Sequence, residues 1–230
     1  MRIKVQHIRF AMSILRNPSQ RKHLRRWVSS LHKDYFIDQK MPWFVYDAID
    51  LLDTEDLAGK RVFEYGSGGS TLFWLKKGAH CVSVEHDPDW YQRARLVIPA
   101  KSFIDYRLVL PEPDLPELGH KKDYADPNDF VSAEYATHAV NYEKYVRQID
   151  EFPDGYFDIV LVDGRARPSC IKHSIRKVNL NGLLILDNSD RSYYSTHTQP
   201  FLSQFSKQTF EGVGPVNPSC WSTTLFKHIV

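Results

Sequence analysis

From residue 58 onward, short apolar runs alternate with stretches whose apolar positions recur every three or four residues. The runs "RVFEYG" (61–66), "HCVSVEH" (80–86), "YRLVL" (106–110), "FDIVLVDG" (157–164) and "NGLLILDN" (181–188) have the length and near-continuous hydrophobicity of buried strands. Between them, "STLFWLKKG" (70–78) reads as a helix with Ser70 or Thr71 at its start and Gly78 beyond its end. "DPDWYQRARLVI" (87–98) opens with Asp87 as N-cap and Pro88 in the first helical position. Residues 142–149 place Tyr142, Tyr145, Val146 and Ile149 on one helical face, and "PSCIKHSIRKV" (168–178) turns Ile171, Ile175 and Val178 inward. Upstream, residues 42–57 have helical spacing at Val45, Ile49 and Leu52, and the tail from 209 gives two β-rich runs around a Gly/Pro turn, a hairpin.

Apolar strands separated by helices imply an α/β fold: a doubly wound, mostly parallel sheet with helices on both faces and a C-terminal β-hairpin. Ligands in such sheets bind beyond the carboxyl ends of the strands, where strand order reverses. The candidates for chemistry are therefore residues 64–69, 85–87, 110–114, 163–167 and 187–191.

Charge divides the chain. Residues 1–33 hold nine Lys or Arg and no acid; thirty basic residues in all leave 21 against 28 acidic ones in the remainder, a net of −7. We read residues 1–40 as a basic helical arm and 41–230 as the main domain, with an acidic, tyrosine-bearing, lid-like insertion at 111–150. Two roles for the arm stay open. It could dock on an anionic surface, or pack Phe10, Ile14, Leu15 or Trp27 against the domain. No run of about 18 apolar residues is present, so no membrane span is expected. The first residues lack the pattern of a secretory signal, and three cysteines without CxxC spacing make a disulfide framework unexpected; a reducing cytoplasm is the expected location.

Three of only 11 glycines fall in the four positions 66–69, between the first strand and its helix. Glycine there tolerates positive φ and lets backbone lie against a ligand. Glu85, at the end of the second strand, is placed to accept hydrogen bonds from ribose hydroxyls. Two ligand classes use this geometry, dinucleotides and S-adenosylmethionine (SAM). Glu64, two residues before the loop, would repel a pyrophosphate but suits the amino group or sulfonium-bearing tail of SAM. Thr71 also stands where a dinucleotide loop has its last glycine.

"VFEYGSGGSTLFWL" with "VSVEHDPDWY", "FDIVLVDG" and "NGLLILDN" resembles the class I SAM-dependent methyltransferases in order, spacing and strand context. The resemblance covers roughly residues 58–228. It implies a seven-stranded sheet whose last strand is antiparallel, a methionine site lined by Glu64, Gly66, Ser67 and Gly68, a ribose held by Glu85, and adenine beside His86, with Asp163 also at the cofactor. Asp163, Asp187 and Asn188 further resemble the ligand set of metal-dependent O-methyltransferases, which implies Mg²⁺ or another divalent ion on a small-molecule acceptor oxygen. A metal-free site stays open beside it, with Asp187, His173 or a tyrosine as base. Where that subfamily has a lysine, this chain has "DGRARPS"; Arg165 and Arg167 are poor bases but good clamps for a carboxylate or phosphate. Asp190, Arg191, Tyr193 and Tyr194 are placed on the neighbouring loop.

The expected activity is methyl transfer to an oxygen of a small, acidic metabolite, with Asp163, Asp187 and Arg165 at the reacting centre. Three alternatives remain: an N-methyltransferase on a small molecule or protein, an NAD(P)-binding oxidoreductase, and a non-catalytic SAM-binding module.

Overall fold

A computed structural model describes residues 4–32, 35–99, 103–113, 121–133 and 140–229. Its centre is a seven-stranded sheet built from β1 (Arg61–Tyr65), β2 (His80–Glu85), β3 (Ile104–Leu108), β6 (Phe157–Val162), β7 (Val178–Asp187), β8 (Phe205–Gly212) and β9 (Trp221–His228). The spatial order is β3-β2-β1-β6-β7-β9-β8. The first five of these are parallel, and β9 enters antiparallel between β7 and β8. The doubly wound sheet, the antiparallel final strand and the hairpin match the sequence expectation. Some boundaries differ. The third strand ends two residues earlier than read, and Val178 opens β7 rather than closing the preceding helix. A second sheet pairs only β4 (Glu112–Pro113) with β5 (Val140–Asn141).

Alternation along the strands sends residues to two cores. Val62, Ile159, Leu161 and Ile185 join one; Phe63, Tyr65, Val160, Val162, Leu184 and Leu186 join the other. The first is covered by α1 (Val5–Arg16), α2 (Leu24–Ser29), α4 (Tyr46–Thr54) and α5 (Gly69–Lys76). The second is covered by α7 (Glu143–Val146), its continuation through Ile149, and α8 (Arg167–Ser174). A period-2 pattern buried on both faces is what a parallel sheet between helix layers requires.

The N-terminal segment is built into the first core through Phe10, Ile14 and Trp27, while Leu15 stays exposed. It also clasps the β8–β9 turn. The Trp27 indole donates to the Asn217 carbonyl at 2.9 Å, and Gln20 Oε1 accepts from the Val213 N–H at 2.9 Å. In the insertion, Tyr124 packs edge-on against Tyr193 and Phe130 lies beside His173, so its described part rests on α8 and the loop after β7. Residues 114–120 and 134–139 of the expected lid lie outside the described residues. Cys81, Cys170 and Cys220 are free thiols. Among the described residues no helix is long and apolar enough to cross a membrane.

Candidate active site

A cavity of about 600 Å³ opens beyond the carboxyl ends of β1, β2, β6 and β7, at the switch point of the sheet. Its size falls within the roughly 300–1,000 Å³ of small-molecule sites. Gly66, Ser67, Gly68, Glu85, His86, Asp163, Arg165, Asp187 and Asn188 line it, as the strand-end rule expects. Glu64 is not among its walls.

The glycine loop connects β1 to α5. A Cβ on Gly66, whose φ is +88°, would stand 3.0 Å from the Asp163 carbonyl and 3.1 Å from Gly164. A Cβ on Gly69 would stand 2.1 Å from the Met41 carbonyl oxygen. Both glycines line the cavity and are also demanded by the protein's own backbone, which a side chain there would strike. Gly68 faces Trp90, on α6 (Pro88–Arg95), whose indole donates to the Ser67 carbonyl at 2.7 Å. Asp87 caps α6 by accepting from the Trp90 N–H at 2.9 Å, as the Asp-Pro pair implies.

Glu64 is fully buried below the loop. It accepts from the hydroxyls of Thr71 (2.5 Å) and Ser83 (2.7 Å) and the indole of Trp74 (3.3 Å). Thr71 Oγ1 in turn accepts from the Gly68 N–H at 2.9 Å. Burial pushes the Glu64 carboxyl up to about 7, opposed by these hydrogen bonds. The strand end turns Glu64 into the interior, so it reaches the cavity only through the loop that Thr71 ties to it, and the expected cofactor contact is not a direct wall of the site. Glu85 does line the cavity, yet it too is engaged. One oxygen accepts from Ser67 N–H (3.0 Å) and Oγ (2.8 Å), the other from the N–H groups of His86 (2.8 Å) and Asp87 (2.9 Å). Burial favours its neutral form, but these bonds and His86 outweigh it and hold the carboxyl below its usual range.

The β6–β7 rim is built differently. Arg167, almost buried at the start of α8, donates to Asp163 Oδ1 at 2.8 Å and to the Asp187 carbonyl oxygen, with its guanidinium over the Tyr194 ring. Asp187, 3 % exposed, accepts through Oδ1 from Trp221 Nε1 (3.0 Å) and Thr223 Oγ1 (2.6 Å). Burial, then the neighbouring Asp163, raises the Asp187 carboxyl; burial raises Asp163 against the pull of Arg167 and Arg191. Two of the three expected metal donors, Asp163 and Asp187, are engaged by the protein's own groups. The Arg167 guanidinium pairs with the Asp163 carboxylate and also holds the Asp187 backbone carbonyl, and Asp187 Oδ1 is committed to Trp221 and Thr223. Among the described residues, the metal-like cluster of His, Asp and Glu groups is His23, Asp47 and Asp50, away from the cavity, where Lys22 and Arg26 pair with the carboxylates.

Across the mouth, Arg165 Nε donates to His86 Nε2 at 3.1 Å, tying the β6 loop to the β2 end. Asn188 adopts a left-handed φ of +52°, and Arg191 donates to the Tyr194 hydroxyl at 3.0 Å. Asp190 accepts from the Ser222 N–H at 3.1 Å, and His173 sits against Asp150 at 2.9 Å; neither lines the cavity. Sequence reasoning missed Phe36, Trp43, Trp90 and Asn217, all cavity walls. Phe36 and Trp43 stack at 4.4 Å. Only Trp90 carried a signal, since it lies in the first turn of a helix that follows a strand end.

Among solved structures, the chain is similar to a putative O-methyltransferase from Klebsiella pneumoniae (TM-score 0.55, 14% identity, covering 87% of this chain and 92% of that one). It is also similar to the O-methyltransferase from Bacillus cereus in complex with SAH (TM-score 0.55, 15% identity, 86% and 92% covered). A third is the O-methyltransferase TomG from Streptomyces achromogenes, involved in tomaymycin synthesis and solved with SAM (TM-score 0.51, 14% identity, 90% and 98% covered). No protein-family model matches the chain. No curated protein matches it. The chain has the fold of the class I SAM-dependent methyltransferases.

Proposed function

We propose that this chain is a SAM-dependent methyltransferase acting, without a metal ion, on an oxygen of a small acidic molecule. The observation that carries the reading is the cavity at the switch point, walled by the Gly66–Gly68 loop and Glu85 on one side and by Asp163, Arg165, Asp187 and Arg191 on the other. A dinucleotide enzyme of the doubly wound kind has its strands parallel in the order 3-2-1-4-5-6. Here an antiparallel strand is inserted before the edge.

SAM, when bound, supplies a methyl group on a sulfonium for in-line displacement by an acceptor lone pair. The chain's residues hold the partners and move a proton. Ser67, Gly68 and His86 form the cofactor wall, closed by Trp90. Ribose contact with Glu85 requires the Ser67 hydroxyl to turn toward Tyr106, whose hydroxyl lies 2.7 Å from it. Asp187 is the base: its raised carboxyl titrates nearer neutrality than an ordinary aspartate, which matches proton transfer from a hydroxyl at physiological pH. Arg167 supplies the fixed positive charge of the rim. Arg165 and Arg191 hold the acceptor's acidic group, and the Phe36–Trp43 stack offers a flat apolar wall for a planar body.

The basic N-terminal segment belongs to the same reading as a contact for an anionic surface. Calorimetry with SAM and with NAD tests the cofactor; binding of NAD but not SAM would overturn the assignment. A screen of hydroxylated and carboxylated metabolites for S-adenosylhomocysteine production then identifies the acceptor.

A further inference from the structure

We propose that the outer face of α1 docks this protein on an anionic lipid bilayer. The inner face of α1 is spent on the fold, with His7, Phe10 and Ile14 buried. Val5, Ile8, Met12 and Leu15 follow one another by three, four and three positions, so they form a second apolar stripe on the opposite side. They are 66%, 55%, 44% and 47% exposed, which is a row of large hydrophobic side chains in water rather than one stray residue. Arg9 and Arg16, seven apart, flank the stripe along one edge, and both are exposed. On α2, Arg25 and Val28 repeat the pairing of an exposed cation with an exposed apolar side chain.

Charge selects the occupant. Residues 1–33 carry nine cations and no acid, and although Lys22 and Arg26 pair with Asp47 and Asp50, Arg9, Arg16 and Arg25 stay exposed beside the stripe; the rest of the chain is net negative. A second copy would bring two such cationic faces together, which like-charge repulsion disfavours. A nucleic acid would satisfy the arginines through phosphate but give the four apolar side chains nothing to enter. An anionic bilayer accepts both: the stripe sinks below the headgroups while arginine stems reach back to the phosphates. At 12 residues, about 18 Å, α1 lies in the interface and does not cross it. The acidic remainder is repelled by the same surface, which turns the α1 face toward it. Docking through α1 is independent of what the cavity binds.

Flotation of the full chain with vesicles of phosphatidylcholine and phosphatidylserine, against vesicles of phosphatidylcholine alone, tests this. Binding is expected on the anionic vesicles, weaker by at least about tenfold on the neutral ones, and weakened by salt. Ile8→Glu/Met12→Glu and Arg9→Glu/Arg16→Glu, all exposed positions, are each expected to lower it by at least about tenfold with the melting temperature unchanged. Absence of binding to anionic vesicles would overturn the proposal. So would binding indifferent to Ile8→Glu/Met12→Glu, tighter binding to single-stranded RNA than to vesicles, or a dimer that dissociates when Ile8 and Met12 are replaced.

Discussion

On the β1–β2 side of the cavity, Glu64 and Glu85 accept hydrogen bonds from hydroxyl, indole and backbone N–H groups. On the β6–β7 side, Asp163 faces the Arg167 guanidinium, and Asp187 holds a raised carboxyl beside it. Neutral donors fill lone pairs and freeze the loop. Burial raises the carboxyls of Glu64, Asp163 and Asp187 alike; on the β6–β7 side a guanidinium rather than neutral donors opposes it. The environment of a carboxylate at a strand end is thus set by what it faces.

The contrast is tested most strongly by Asp187→Asn. With the acceptor in hand, turnover is expected to fall about 10³-fold, within the range for loss of a general base, while SAM affinity in calorimetry stays unchanged. In the unaltered protein the rate should rise with pH through neutrality as Asp187 loses its proton, and the variant should lack that limb. A variant that keeps the rate and the pH limb removes Asp187 as base.

Arg167→Met leaves two acidic groups facing each other without their cation. A stability loss of about 3–5 kcal/mol is expected, the usual cost of orphaning a buried charge, read by chemical denaturation near neutral pH. A loss below about 1 kcal/mol, the size of an exposed pair, would place the guanidinium in solvent.

Glu64 tests the neutral rim. Its folded carboxyl sits at about 7, above an unfolded value of 4.5, so folding favours the protonated form. Its stabilising effect is complete below the unfolded value and is lost as pH climbs through the folded one. The difference is about 3 kcal/mol by linkage. Glu64→Gln should lose less stability between pH 5 and 8 than the unaltered chain by about that amount; parallel profiles would contradict the buried placement. The smallest effect expected is that of metal removal. EDTA or added Mg²⁺ should change turnover by less than about twofold, since Arg167 already holds the positive charge; strong activation by Mg²⁺ would restore the metal reading.

Much of this was legible in the chain. The alternation of Val62 and Phe63, or of Leu161 and Val162, assigns each residue to a sheet face, and the Asp87-Pro88 pair places a helix start. The strand-end rule located the cavity and most of its walls. Other features were not legible. Phe36 reaches the cavity from the segment read as arm, Trp43 from the start of the helically spaced stretch 42–57, and Asn217 from the β8–β9 turn. The metal expectation rested on a resemblance of three donors; the sequence marked Arg167 as a carboxylate clamp, but not that the carboxylate it clamps is the chain's own Asp163.

Periodicity and turn chemistry are properties of neighbouring residues, so the linear chain suffices to specify strands, helices, the glycine loop and the edge where ligands sit. The role of each acidic group depends on partners far along the chain. Ser83, 19 residues from Glu64, draws one carboxylate into the interior, and Trp221 and Thr223, 34 and 36 residues from Asp187, seat the other. Packing also constrains Gly66 and Gly69, whose bare Cα atoms make room for backbone from elsewhere in the fold. Desolvation and hydrogen bonding are set by whatever arrives in space, and chain order does not encode that distance.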